Sequence, residues 1–206
     1  MYARSVTIHA MPGSIDAGIA YMRNEVMPLL ATLDGYVGLS LMVDRGSGRC
    51  IATSSWESTE ARQASFGQLA ATRERASEVF GGAVEVANWD IALMHRDHIT
   101  TPGACARSTW VQGEPAKVDD AIAGYRDTVL PEADGFDGFC SASLLVNRET
   151  GLGVGTTTWD SREAMEASRM DADELRARVA SEAGLAVVDV CEFELVEAHL
   201  RVPELV

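Results

Sequence analysis

The sequence predicts an α+β protein made of two βαββαβ repeats. Three observations carry this. The chain registers on itself at an offset of about 103 residues, a spacing that marks duplicated domains and not a solenoid. "LDGYVGLSLMVDRGSG" from Leu33 lies on "FDGFCSASLLVNRETG" from Phe136. Within each copy, apolar spacing switches from strand alternation to helical recurrence and back.

The registration runs through most of both copies. Pro12 falls on Pro115, Asp16 on Asp119, Arg23 on Arg126, Pro28 on Pro131, Arg45 on Arg148 and Trp56 on Trp159. After a one-residue deletion, "WDIAL" lies on "CEFEL". The domains are then 1–95 and 107–206. The Pro- and Gly-containing "RDHITTPGACA" (96–106) fits neither copy and reads as a linker.

Each element follows in order. The strands "SVTIHAM" and "STWVQGE" open the copies with β-branched residues and partial alternation. A helix follows, with Ile15, Ile19, Met22, Val26, Leu29 and Leu33, or Val118, Ile122, Tyr125, Val129 and Phe136, at helical spacing. Ser14 is the expected N-cap of the first, and the Gly of each "DG" suits a helix stop. Two strands come next, joined by "DRGSGR" or "NRETGL", both polar, Gly-containing hairpin connections. A second helix starts at Ser58 or Ser161, with Glu60 or Glu163 in its first turn. "EVANWDIALM" and "VVDVCEFELV" are the last strands. This order is the ferredoxin-like split βαβ unit, an antiparallel sheet with both helices on one face. Its other face needs a partner. Duplication supplies one within the chain.

Composition narrows the function. The chain has 206 residues, 47% hydrophobic and 23% charged, enough apolar material for a core. A formal net charge of -14, spread along the chain, repels phosphate backbones and anionic lipid, so neither nucleic acid nor a membrane is an expected partner. No apolar run approaches the roughly 18 residues of a membrane span, and "MYARSVTIHAMPGS" lacks a secretory apolar core. Cys50, Cys105, Cys140 and Cys191 form no CxxC pair and no Cys/His cluster with zinc-ligand spacing. A reducing cytoplasm fits these thiols best. His95 and His98 make a loose HxxH without a third ligand, so no metal site is expected. No phosphate loop or nucleophile elbow occurs.

"LDGYVGLSLM" and "FDGFCSASLL", with "SSWESTEA" and "TTWDSREA" at the third strand and second helix, resemble the dimeric α+β barrel superfamily, and within it the antibiotic biosynthesis monooxygenase group. The resemblance spans nearly all of both copies. It implies two ferredoxin-like repeats packed as an intramolecular dimeric α+β barrel, a pseudo-dimer whose further dimerisation the sequence leaves open. The group includes cofactor-independent monooxygenases acting on anthrones and quinols, as well as haem-degrading enzymes. The haem branch carries an Asn near His9 and Gln112, a Trp where this chain has Ser65 and Ser168, and a proximal His where it has Glu74 and Ala177. Without an axial ligand, haem degradation is disfavoured.

Strand parity proposes site residues. Val6, Ile8 and Ala10 make the apolar face of the first strand, so Ser5, Thr7 and His9 point inward, as do Trp110 and Gln112 in the second copy. Trp89, Ile91 and Leu93 leave Asn88 and Asp90 on the opposite, inward face, and Cys191 and Phe193 likewise leave Glu192. Centring the first strand on the last brings His9 across from Asp90, an acid/base pair able to remove a phenolic or acidic C–H proton so that the anion meets O2. Asn88, Trp110, Gln112 and Glu192 are the expected substrate contacts. The expected function is a cofactor-independent monooxygenase, without metal or flavin, for a small aromatic, quinol or polyketide-type compound. The competing expectations are a non-catalytic, stress-related barrel that binds a small hydrophobic ligand, and an assembly role. A lone strand histidine is more often a hydrogen-bonded core residue than a catalyst, and Trp56 and Trp159 read as packing at the strand–helix corner.

Overall fold

The computed structural model describes the backbone of residues 1–206 and every side chain except that of residue 199. It contains the βαββαβ order twice. The first copy comprises β1 (Tyr2–His9), α1 (Ile15–Tyr21), α2 (Met27–Leu30), β2 (Tyr36–Val43), β3 (Arg49–Trp56), α3 (Thr59–Gln68), α4 (Ala70–Phe80) and β4 (Val84–Arg96). The second comprises β5 (Cys105–Gln112), α5 (Val118–Gly124), α6 (Leu130–Asp134), β6 (Phe139–Asn147), β7 (Leu152–Trp159), α7 (Arg162–Ala167), α8 (Arg169–Ala183) and β8 (Ala186–His199). Among the described residues, no helix is long and apolar enough to cross a membrane.

The chain divides into two compact units. The first holds residues 1–89 and 195–202, the second 90–194 and 203–206. In the first, β3 is central and antiparallel to β1 (Ser5 opposite Thr53) and to β2 (Leu41 opposite Ala52). In the second, β7 is central between β5 (Thr109 opposite Gly155) and β6 (Leu144 opposite Gly155). Residues 186–194 of β8 pair with β5, and residues 90–96 of β4 pair with β6.

Proline shapes the first helix of each copy. Pro28 and Pro131 cannot donate to a carbonyl four residues back, and their rings crowd it. The turns just before them widen into π-helix, Met22–Val26 and Tyr125–Val129. Met27 N–H then reaches Met22 O, and Leu130 N–H reaches Tyr125 O. The second helices begin as expected: Ser58 accepts from Ala61 N (3.1 Å) and Ser161 from Ala164 N (3.2 Å). Ser14 differs. A 3-10 turn (Pro12–Ser14) leads into α1, and the Ser14 side chain makes no capping bond.

In the first unit, Ile8, Ala10, Leu39 and Leu41 pack under Ile15, Ile19, Met22 and Phe80. In the second, Leu144 and Val146 pack with Val118, Ile122 and Tyr125. Trp56 and Trp159, 0% and 1% exposed, fill the strand–helix corners.

Candidate functional site

The structure revises the sequence-predicted set. His9 is the exposed last residue of β1. A Cβ on Gly82 would lie 2.2 Å from the His9 carbonyl, and Met11 N donates to Phe80 O at 2.9 Å. At the other end of β1, Trp89 Nε1 donates to Ser5 Oγ (2.8 Å). So β1 is not centred on β4. His9 meets the residues just before β4, and Asp90 stands eight positions beyond Gly82, about 26 Å of extended chain. Asp90 instead accepts from Arg148 Nε (3.1 Å), while Arg148 Nη1 donates to Asp119 (2.7 Å).

The face assignment of the last strands also needs correction. Trp89 shares the Ser5 face, away from the helices, whereas Asn88 accepts from Arg4 Nε (3.2 Å) on the helix side. Glu192 likewise faces the helices, where Arg107 Nε donates to it (3.0 Å). Alternation shows that the two faces differ, but it does not say which one the helices cover: the buried Trp89 lies on the Ser5 face, turned from them. Gln112 is tied to the backbone, donating to Gly113 O (2.9 Å) and Thr150 O (2.7 Å). Trp110 packs edge-on against Phe193, ring centroids 6.5 Å apart. His95 and His98 belong to separate clusters. His95 lies between Glu204 (2.6 Å) and Asp134 (3.2 Å), and His98 between Asp97 (2.7 Å) and Asp160 (3.1 Å).

A different site emerges between sheet and helices, once in each unit. The second unit has an apolar cavity of about 140 Å³ between β5–β7 and the helices α5 and α8. The first has its counterpart, of about 70 Å³. Aligned residues account for the difference. In the first unit Phe80 lies over Gly18, so closely that a Cβ there would be 2.2 Å from the ring. The corresponding pair is Ala183 and Ala121, aligned by the left-handed glycines Gly81 and Gly184 that end the two helices. Ala52 becomes Gly155, which leaves room for Tyr125 where the first copy has Met22; a Cβ on Gly155 would meet that ring at 2.9 Å. The π turn delivers Tyr125 to the cavity. Burial raises its hydroxyl pKa, so it stays a neutral donor.

A buried arginine stands at the base of each cavity: Arg4, 4% exposed, and Arg107, 3% exposed. Arg4 uses all three nitrogens on neutral acceptors: Asn88, Ser65 Oγ (2.9 Å) and Arg62 O (2.6 Å). Burial, then the Arg73 and Arg62 charges, pull its pKa down to about 10, so it remains a cation at neutral pH. Arg107 pairs with Glu192 and donates to Met165 O (2.8 Å), but its Nη1 has no partner. Trp159, whose ring lies 5.1 Å from the Arg107 guanidinium, is also unpaired at Nε1. In the first copy, Trp56 Nε1 reaches Ser54 (3.0 Å), where the second has Thr157. Two residues that line one apolar cavity thus each carry an orphan donor, costing about 1–3 kcal/mol while unmatched. An oxygen acceptor on a ligand would satisfy them. Sequence parity missed Arg107, Tyr125 and Trp159. The signal available was the Arg–Ser pair, 4–5 and 107–108, repeated on the first strand of both copies.

No protein-family model matches the chain. Among solved structures it is similar to an anthrone oxidase-like protein (TM-score 0.69, 16% identity, 95% of this chain and 92% of that one). It is also similar to a ferredoxin-fold protein related to antibiotic biosynthesis monooxygenases from Listeria monocytogenes 4b F2365 (TM-score 0.56, 11% identity, 96% of each). A third is LmHde, a heme-degrading enzyme from Listeria monocytogenes (TM-score 0.53, 8% identity, 93% of this chain and 97% of that one). These likenesses show the fold the chain shares with them, a ferredoxin-like one. In sequence, the chain is 53% identical over 206 residues to the uncharacterized protein Rv2557 of Mycobacterium tuberculosis H37Rv, covering 100% of this chain and 92% of that protein. The chain belongs to the family of that mycobacterial protein.

Proposed function

We propose that the second unit's cavity binds a small, planar, largely apolar molecule through a phenolic or carbonyl oxygen, and that the protein is a cofactor-independent monooxygenase for it. The observation that carries this reading is the pair of unmatched donors, Arg107 Nη1 and Trp159 Nε1, on two residues that line an otherwise apolar cavity of about 140 Å³. Donors fixed in an apolar site stabilise a developing oxyanion without having to reorganise. An anthrone or hydroquinone that loses a proton places its negative charge on that oxygen. The electron-rich ring then reacts with O2: an anthrone CH2 becomes C=O, and the second oxygen atom leaves as water. Tyr125 adds a neutral hydroxyl at the cavity wall. His9 and Asp90 have no part in this reading.

The test is oxygen uptake by metal-free protein with a panel of anthrones and hydroquinones. Saturable uptake, reduced more than about tenfold in Arg107→Met and Trp159→Phe, is expected. Uptake no faster than autoxidation, with no ligand bound, would reject the proposal. One observation favours a second reading, binding without turnover: Glu192 already neutralises the Arg107 charge. Ligand retained in native mass spectra without oxygen uptake would select it.

A further inference from the structure

Away from that cavity, three segments of the second unit converge on one point. His98 follows β4, Cys140 lies in β6, and Asp160 follows β7. Backbone bonds hold them together: Asp97 N and His98 N donate to Cys140 O (2.9 and 3.3 Å), and Asp160 N to Gly138 O (2.9 Å). His98 Nε2 is 3.1 Å, and Cys140 Sγ 3.3 Å, from Asp160 Oδ1. The three donor atoms lie within 4.8 Å of one another. We propose that His98 Nε2, Cys140 Sγ and an Asp160 carboxylate oxygen bind a divalent transition cation of the zinc class.

Four features support this. The first is geometry. Zinc bonds of about 2.0–2.1 Å to nitrogen and oxygen and 2.3 Å to sulfur give tetrahedral edges of roughly 3.4 Å (N···O) and 3.6 Å (S···O). The two separations to Asp160 Oδ1 need open by only about 0.3 Å to admit the ion. The second is orientation. His98 Nδ1 is already engaged by Asp97 Oδ2 at 2.7 Å, the carboxylate–histidine arrangement that turns the other ring nitrogen toward a metal. The third is access. Cys140 is fully buried, while the His98 and Asp160 side chains are 38% and 42% exposed, so an ion arriving from solvent meets the nitrogen and oxygen ligands with the sulfur beneath. The fourth is the ligand set. Nitrogen, thiolate sulfur and one carboxylate suit zinc-class ions and not magnesium or calcium, which favour all-oxygen shells.

The repeat supplies an internal control. Val37 and Glu57 stand where the second copy has Cys140 and Asp160, and His98 lies in the connecting segment, which has no counterpart. The cluster is therefore not inherited from the duplicated unit. Binding displaces the Cys140 thiol proton and any proton on His98 Nε2, so the complex gains the cation and releases those protons to solvent. The bound ion would pin the segment after β4 to the ends of β6 and β7.

The test is a Co²⁺ titration of the reduced protein, followed by Zn²⁺ competition against a chromogenic chelator. A 1:1 complex with a thiolate-to-cobalt charge-transfer band and tetrahedral visible bands is expected. His98→Ala and Cys140→Val, the latter borrowing the first copy's residue, should each weaken Zn²⁺ on the order of 100-fold or more. Asp97→Asn should weaken it about 10–100-fold, and His95→Ala should leave it unchanged. A cobalt complex without the thiolate band, or Zn²⁺ affinity that survives both His98→Ala and Cys140→Val, would overturn the proposal. So would loss of binding in His95→Ala alone. If Cys140→Val fails to fold, His98→Ala, altered at a partly exposed side chain, decides the matter.

Discussion

Replacing Gly18 by Ala tests why the two cavities differ in size. The added Cβ would lie 2.2, 2.4 and 2.4 Å from Phe80 Cε1, Cδ1 and Cζ. Carbon pairs prefer about 3.5–4.0 Å, so the ring must retreat by about 1.3 Å or more. Phe80 is 2% exposed and cannot simply swing into solvent. Overpacking of this kind costs about 1–3 kcal/mol. Against it stands a gain of about 1 kcal/mol from replacing Gly within a helix. The net expectation is destabilisation of about 1 kcal/mol. Phe80→Ala alone should cost about 3–5 kcal/mol, because it removes a buried aromatic ring. In that background the obstacle is gone, only the helix term remains, and Gly18→Ala should become stabilising by about 1 kcal/mol. The double variant reproduces the Ala121/Ala183 pair of the second copy. The assay is guanidinium denaturation of all four proteins followed by circular dichroism, with the coupling taken from the cycle. An equal effect of Gly18→Ala in both backgrounds would refute the claim that this contact closes the first cavity.

Ala183→Phe combined with Ala121→Gly transplants the first copy's pair into the second, and should weaken binding of an anthrone-class ligand at least about tenfold as the cavity shrinks; unchanged affinity in a calorimetric titration would place the ligand elsewhere. Ser58→Ala and Ser161→Ala each remove an N-cap acceptor and should each cost about 1 kcal/mol in denaturant midpoint experiments. Burial works against a charged His95, but bonds to Glu204 and then Asp134 outweigh it and raise its pKa above the ordinary value. A raised value means that protonated His95 stabilises the folded chain below about pH 6.5, and that this contribution is lost as pH rises through the folded-state value. Tm should fall across that window, and Glu204→Gln should flatten the fall; a profile identical to wild type would sever the link.

The sequence determined the duplication, the βαββαβ order and the helix starts at Ser58 and Ser161, because each rests on local spacing, capping or self-registration. Even the helix-facing set Val6, Ile8 and Ala10 was readable from alternation. Tertiary structure decided the register of β1 against β4, which moves His9 away from Asp90, since side-chain period alone is the same for every even shift. It also decided that Asn88 and Glu192 face the helices, because the buried guanidiniums of Arg4 and Arg107 need acceptors there, and no alternation pattern carries that demand. The unmatched Arg107 and Trp159 donors, and the meeting of His98 with Cys140 and Asp160, join residues scattered through the second unit. Proximity of that kind is a property of the folded chain: it depends on where strands end and on what neighbouring side chains leave unfilled, and residue order does not encode it locally.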